Sequence, residues 1–342
     1  MKSSIAIAAL AALAAGTTSA QALAGYKVVK EVPLGAPERW DYVVYDAPSH
    51  RVYVAHSDRI SVVDAKEGKL LGEVTGIANT HGIAIANGKG YTDDGEAGMS
   101  IVFDPKTFKV LKKLPAKDDA DAVTMDPKTG HVFIANGDAK AVTVIDSKTD
   151  TVLANVDTGG KIEYIVPGGD GKMYVNGEEK KEIVRIDVAS NAVDARWPMP
   201  GCTSPHGLAI DQAGHRLFAT CANKVMTVVD TKSGAVVATL PIGQGTDGAA
   251  FDPMRKRAFS SNGEGTVTVV DAKDPKAMSV IETVQTRNTG RTMGIDPESG
   301  RLFIAAAEID PKAPVPPGPN GRPGRPRPIP GSLKLLFLDP VR

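Results

Sequence analysis

Residues 121–156 read DAVTMD PKTG HVFIAN GDAK AVTVID SKTD TVLANV. Four short runs alternate Val, Ile or Phe with small or polar residues, and Asp-Pro, Thr-Gly and Asn-Gly punctuate them. A period of two between such breaks is the pattern of strands joined by tight turns. The unit recurs. A strand ending in aspartate closes at Asp64, Asp104, Asp146, Asp187, Asp230, Asp271 and Asp339, with intervals of 40, 42, 41, 43, 41 and 68 residues. Four strands in roughly 40–45 residues make one propeller blade, so the chain predicts an all-β, seven-bladed β-propeller of four-stranded antiparallel blades.

The two ends of the repeat are complementary. YKVVKEV, residues 26–32, has the pattern of a fourth strand with no strands before it, whereas the last unit stops at SLKLLFLD with no fourth strand. The N-terminal strand is expected to complete the last blade, because a ring closed this way leaves no open sheet edge. The excess length of the last unit lies in PKAPVPPGPNGRPGRPRPIPG, residues 311–331, whose Pro and Gly content favours an extended loop over packed strands. Arg322, Arg325 and Arg327 would make it a positive lid; a tolerated insertion and a partner-binding segment are the other readings.

Before the repeat, Lys2, an apolar stretch from Ile5 to Ala15 and small residues ending Ala20-Gln21-Ala22 have the order of a secretory leader. The organisation expected is a signal peptide over 1–22 and a propeller over 23–342, exported to the periplasm. The apolar stretch is shorter than the ~20 residues that span a bilayer, and no later segment qualifies. Lys plus Arg and Asp plus Glu each number 40, which gives no general electrostatic attraction to nucleic acid or anionic lipid. A basic stripe with aromatic platforms is also missing, so nucleic acid is not an expected partner. Cys202 and Cys221, at the start and end of the same predicted hairpin, are expected to form a disulfide, the alternative being a Cys-His copper site.

The chain resembles the YVTN-repeat, or YncE-like, family of exported seven-bladed propellers. RVYVAHSDRISVVD (51–64), HVFIANGDAKAVTVIDSKTDTV (131–152) and RAFSSNGEGTVTVVD (257–271) carry the likeness. The family's tetrapeptide is replaced here by YVAH, YTDD, FIAN, YVNG, FATC, FSSN and FIAA. The resemblance implies the fold. For function it spans lactonases, lyases, cofactor-binding domains and binding proteins.

Candidate chemistry comes from aligning the innermost strands. One position holds Asp41, His81, Asp121, Glu163, His206, Asp247 and Arg291, ionisable in every unit. These side chains are expected to ring the mouth of the central channel, against the alternative of a merely hydrophilic, solvated channel. Carboxylates with imidazole suit a divalent metal such as Zn, Mn or Mg, and Ca less well. In that reading His81 and His206 are metal ligands, Asp121, Glu163 and Asp247 the acid-base groups, and Arg291 and Asp41 hold substrate. His50, His131 and His215 fall in turns on the far face, and His56 ends a second strand on the ring face. No haem-attachment sequence, zinc-protease motif or nucleophile elbow occurs. The expected activity is that of a monomeric small-molecule enzyme or binding protein, for which the resemblance implies a metal-assisted lactonase, lyase or isomerase; the alternative is a non-catalytic periplasmic scaffold holding a protein partner.

Overall fold

The computed structural model describes residues 25–316 and 326–341, so the leader and Arg322 and Arg325 lie outside the described residues. Seven antiparallel sheets follow one another round an axis. In six of them the four strands are separate. In the first, Arg51–Asp64 is continuous strand that holds both the second and third positions. It reverses at Ser57, whose φ is +57°, and its ends meet where the Ala65 amide donates to the His50 carbonyl.

Closure is as the sequence requires. Tyr26–Pro33 pairs antiparallel with Lys334–Pro340, giving the last blade its outer strand. Polar groups reinforce the join: Arg287 forks onto Glu31, and Lys334 reaches the same carboxylate at 3.1 Å. Among the described residues no helix is long and apolar enough to cross a membrane.

The core lies between blades. The low aromatic content suggests aliphatic packing, yet the structure concentrates its aromatics at one site per blade. Tyr53, Tyr91, Phe133, Tyr174, Phe218, Phe259 and Phe303, each opening the tetrapeptide of the second strand, are all at most 1% exposed. Each meets aliphatic side chains of its own blade or the next; Tyr91, for example, packs with Val102 and with Val132 and Ile134. Truncating such a ring to Ala costs about 3–5 kcal/mol through lost transfer energy and the cavity left.

The aspartate that closes each third strand is a turn former. Asp64, Asp104, Asp146, Asp187, Asp230 and Asp271 each accept a backbone N–H two or three residues on, the Asx geometry that suits short carboxylates. Asp339 departs from the pattern and takes Arg301 at 2.6 Å instead. The proline-rich insertion is gripped at its base: Ile309 bridges Pro328, and the Ile329 amide donates to the Glu308 carbonyl at 2.7 Å.

Cys202 and Cys221 form a disulfide with Cα atoms 5.5 Å apart, both sulfurs in the core. It ties the loop before the fifth inner strand to the end of the second. Replacing both cysteines with Ser should lower unfolding stability by about 3 kcal/mol on the chain-entropy estimate. Urea melts of the variant, and of wild type with and without reductant, measure it; an unchanged midpoint would show that the bridge constrains nothing.

Candidate functional site

Each ring residue sits just before or at the start of an inner strand, and neighbouring blades fix its backbone. The Tyr42 amide donates to the His81 carbonyl at 3.0 Å, Asp247 N–H to the Arg291 carbonyl at 3.2 Å, and the Thr292 hydroxyl to the Asp41 carbonyl at 2.7 Å. A polar residue in several second strands fastens the same segment. Asn176 donates to the carbonyls of His206 and Gly207, Ser261 donates to the Arg291 carbonyl, and the Asp93 carboxylate accepts from the amides of His81 and Gly82. This tetrapeptide position therefore does for the channel what the aromatic does for the core.

Crowding at the axis explains the residue that follows each ring position. Gly82, Gly207 and Gly248 face the backbone of the next inner strand so closely that a side-chain carbon on Gly207 would lie 2.6 Å from the carbonyl carbon of Gly248. The other four blades carry a side chain there, small in Ala122 and Thr292 and large in Tyr42 and Tyr164. The two tyrosines reach the axis. Their rings meet edge to face, centroids 4.7 Å apart, from blades 1 and 4 on opposite sides of the axis. They form a floor to the channel mouth. Tyr42 is 4% exposed, and the four ring carboxylates surround it and with its burial hold its hydroxyl far above its ordinary range.

Above this floor the ring side chains converge. Arg291 Nε donates to Asp247 at 2.6 Å, its Nη2 donates to the Trp40 carbonyl at 2.9 Å and lies 3.8 Å from Asp41. His206 Nδ1 lies 3.4 Å from Glu163 and 3.3 Å from Asp247. His81 turns instead to Asp93 of its own blade, Nδ1 to carboxylate 2.7 Å, with the Asn79 amide 3.0 Å from Nε2. Asp121 makes no side-chain hydrogen bond or ion pair among the described residues. The paired groups are 14–25% exposed except Asp93, which is sealed, so they face a well rather than bulk water.

The electrostatics follow from packing five carboxyls with three cations. Burial, countered by Arg291 and reinforced by Asp247, pushes Asp41 up to about 7. Burial and then Glu163 and Asp41 push Asp121 well above the carboxylate range. Glu163 is also raised, burial outweighing its contact with His206. Asp247 alone is lowered: burial opposes it, but His206 and Arg291 win. Burial would lower both imidazoles, yet Asp93 lifts His81 to about 9, and Asp247 with Glu163 lifts His206 to about 10. Both histidines are therefore imidazolium at neutral pH, donors on each nitrogen.

That protonation decides between two chemical readings. Glu163, His206 and Asp247 offer donor atoms within 4.8 Å of one another, a set that could hold a cation. A metal taking His206 Nδ1 must first displace its proton. His81 stands outside this set. Ser204, whose hydroxyl is 3.4 Å from His206 Nε2 and donates to Glu178 at 2.7 Å, makes a serine-histidine-carboxylate line that no sequence motif announces. An imidazolium cannot accept the serine proton, so the line is a hydrogen-bonded strut rather than a nucleophile with its base.

The remaining candidates resolve simply. His56 is fully buried, with Nδ1 on the Ser61 hydroxyl and Nε2 on the Pro37 carbonyl, so it is a core residue. His50 bonds the Tyr45 hydroxyl at 3.0 Å, and His131 and His215 are half-buried rather than fully solvated. Arg291, expected to hold substrate, already has partners on Nε and Nη2 and clasps blades 6, 7 and 1. Arg327 is exposed and pairs with no ring carboxylate.

Residues 42–207 match a family model described as a domain of unknown function, DUF5074. "Uncharacterized protein YncE" of Salmonella typhimurium is 25% identical over 191 residues, 54% of this chain and 53% of the relative. Its namesake in Salmonella typhi is 24% identical over the same length. The chain thus spans about half the length of the curated relatives it matches. Among solved structures, Kuenenia stuttgartiensis hydrazine synthase superposes with a TM-score of 0.71 at 16% identity, covering 82% of this chain and 96% of that one. U3-55K superposes at 0.74 with 8% identity, over 91% and 98%. Likeness at such identities is one of fold. Seven blades and the closing N-terminal strand make this protein a seven-bladed β-propeller, similar to YncE over about half of its length.

Proposed function

We propose that this propeller is an exported protein that binds a small polar molecule at the mouth of its channel, with Asp121 as the group that exchanges a proton with it. The observation that carries the reading is the chain of ionisable side chains Glu163, His206, Asp247, Arg291 and Asp41, one from each of five blades, beside a floor closed by Tyr42 and Tyr164. A merely hydrophilic channel has no reason to bury carboxyls against one another, since each such contact costs stability. Groups whose surroundings shift their proton affinity this far, gathered in a concave site, are candidates for acid-base work. A carboxyl whose surroundings favour its protonated form can donate to a developing negative charge, as a lyase or isomerase step needs. The disulfide supports export to an oxidising compartment.

A second reading, a divalent cation on Glu163, His206 and Asp247, is favoured by the spacing of their donor atoms. It implies that cation uptake releases the His206 proton and strengthens with pH. Titration calorimetry with Zn²⁺ or Mn²⁺ at about pH 6 and about pH 8, in buffers of different ionisation enthalpy, checks this. Loss of binding in His206→Gln is expected; a pH-independent affinity removes the reading.

The ligand-binding proposal is tested by a thermal-shift screen of small polar metabolites against wild type and Glu163→Gln. Compounds that stabilise the first and not the second are expected. Equal shifts in both would place any binding elsewhere.

The same geometry fixes a pH dependence. His81 and His206 bind their protons more tightly folded than unfolded, where the value is 6.5. Their contribution is fully present below that value and is lost as pH rises through about 9 and about 10. The melting temperature should fall over this window, and less in His206→Gln than in wild type. Calorimetric melts of the two proteins compared at each pH provide the test, and parallel curves would contradict it.

A further inference from the structure

The channel mouth neutralises most of its charge internally, and the shortfall is local. His206 lies between Glu163 and Asp247, Arg291 serves Asp247 and Asp41, and His81 is held by Asp93. Asp121 is the carboxyl left over, and the side chains that act most strongly on it are Glu163, Asp41, Asp93 and Asp247, all acidic. Below it Tyr42 is buried to the tip of its ring, with the same carboxylates around its hydroxyl. That hydroxyl makes no hydrogen bond among the described residues, and it is not among the sealed, unsatisfied atoms such as the hydroxyls of Tyr26 and Tyr53. It opens onto the well. Two hydrogen-bonding side chains without protein partners therefore sit at one end of a site whose other members are engaged.

Resting on the reading of the mouth as a small-molecule site, we propose that its ligand carries a terminal protonated amine, which donates to the Asp121 carboxylate and the Tyr42 hydroxyl oxygen. An ammonium group brings one positive charge and three N–H donors and accepts nothing. Both acceptors then receive donors, and the bond to Asp121 is charge-assisted. An anion would meet four carboxylates. A neutral alcohol would bond Tyr42 but could not offset the acidic surroundings that resist ionisation of Asp121. A divalent metal needs more oxygen donors than one carboxylate and a phenol provide. The tyrosine floor admits no chain beyond the amine, because Tyr164 closes the axis behind Tyr42; the rest of the ligand extends outward past Arg291 and His206.

The test uses n-butylamine with 1-butanol and butyrate as neutral and anionic probes of matched length, followed by saturation-transfer NMR and calorimetry on the full mature chain. Butylamine should bind, with the two controls weaker by at least about tenfold. Asp121→Asn, which keeps the shape of the side chain, should lose about tenfold or more. Tyr42→Phe should lose a few-fold. Thermal melts accompany each variant, and Asp121→Asn should melt at or above the wild-type temperature because it removes an uncompensated carboxyl. Butylamine that does not bind, or binds Asp121→Asn as well as wild type, overturns the proposal. Butyrate or butanol binding that disappears in Glu163→Gln would keep the mouth as a ligand site while removing the amine from it. No probe binding, together with a metabolite screen blind to Glu163→Gln, would sink both.

Discussion

Seven inner strands converging on one axis leave room for very few side chains, and this crowding governs the rest of the molecule. Gly82, Gly207 and Gly248 yield their side-chain space to the backbone of the next blade. Tyr42 and Tyr164 take the space that remains and close it from opposite sides. The ionisable residue ahead of each is thereby pushed up to the mouth, beside its counterparts. The charges are adjacent because the backbones are.

Such a cluster is expensive, and the stability must come from elsewhere. Burial raises Asp41, Asp121 and Glu163 together, which means that ionising all of them in the folded state is resisted. The opposing terms lie between the blades, where seven fully buried aromatic rings and their aliphatic neighbours pack, and in the shared sheet of the last blade, where the N-terminal strand completes the hydrogen-bond ladder. A ring held by its own terminus can sustain local repulsion that an open sheet could not, since relieving it would require parting a complete blade.

The sequence exposes whatever repeats. The closing aspartates, the blade length, the unmatched first strand and the ring positions are periodic, and each lies where its period puts it. The pairing of Cys202 with Cys221 follows from the same hairpin logic. What cannot be read this way is what breaks the repeat or crosses it. Tyr42 and Tyr164 look like ordinary strand residues until blades 1 and 4 are set face to face. Asp93 occupies a position filled by Ala, Asn, Thr or Ser in other blades, and only the fold shows that this side chain points at the backbone of the ring. The signal was present in YTDD, a carboxylate where a small residue is usual. His56 misleads for the opposite reason: it ends its strand on the ring face, but the segment before Asp41 folds over it and its Pro37 carbonyl takes the ring nitrogen.

The two ring histidines show why position alone does not assign a role. Both occupy the same place in their blades and both are lifted into the imidazolium form, but by different partners. His81 answers to a sealed carboxylate of its own blade, so its proton belongs to the architecture of blade 2. His206 answers to Glu163 and Asp247 from the blades on either side, so its proton belongs to the site. Arg291 behaves like His206, spanning blades 6 and 1. Cations thus stitch one arc of the mouth, from Glu163 round to Asp41, while Asp121 on the opposite arc has no ion-pair partner among the described residues and is raised most by acidic groups. A structure that pairs its charges on one side and leaves a carboxyl unpartnered on the other has a direction, and a guest approaching the mouth meets that open carboxyl at Asp121.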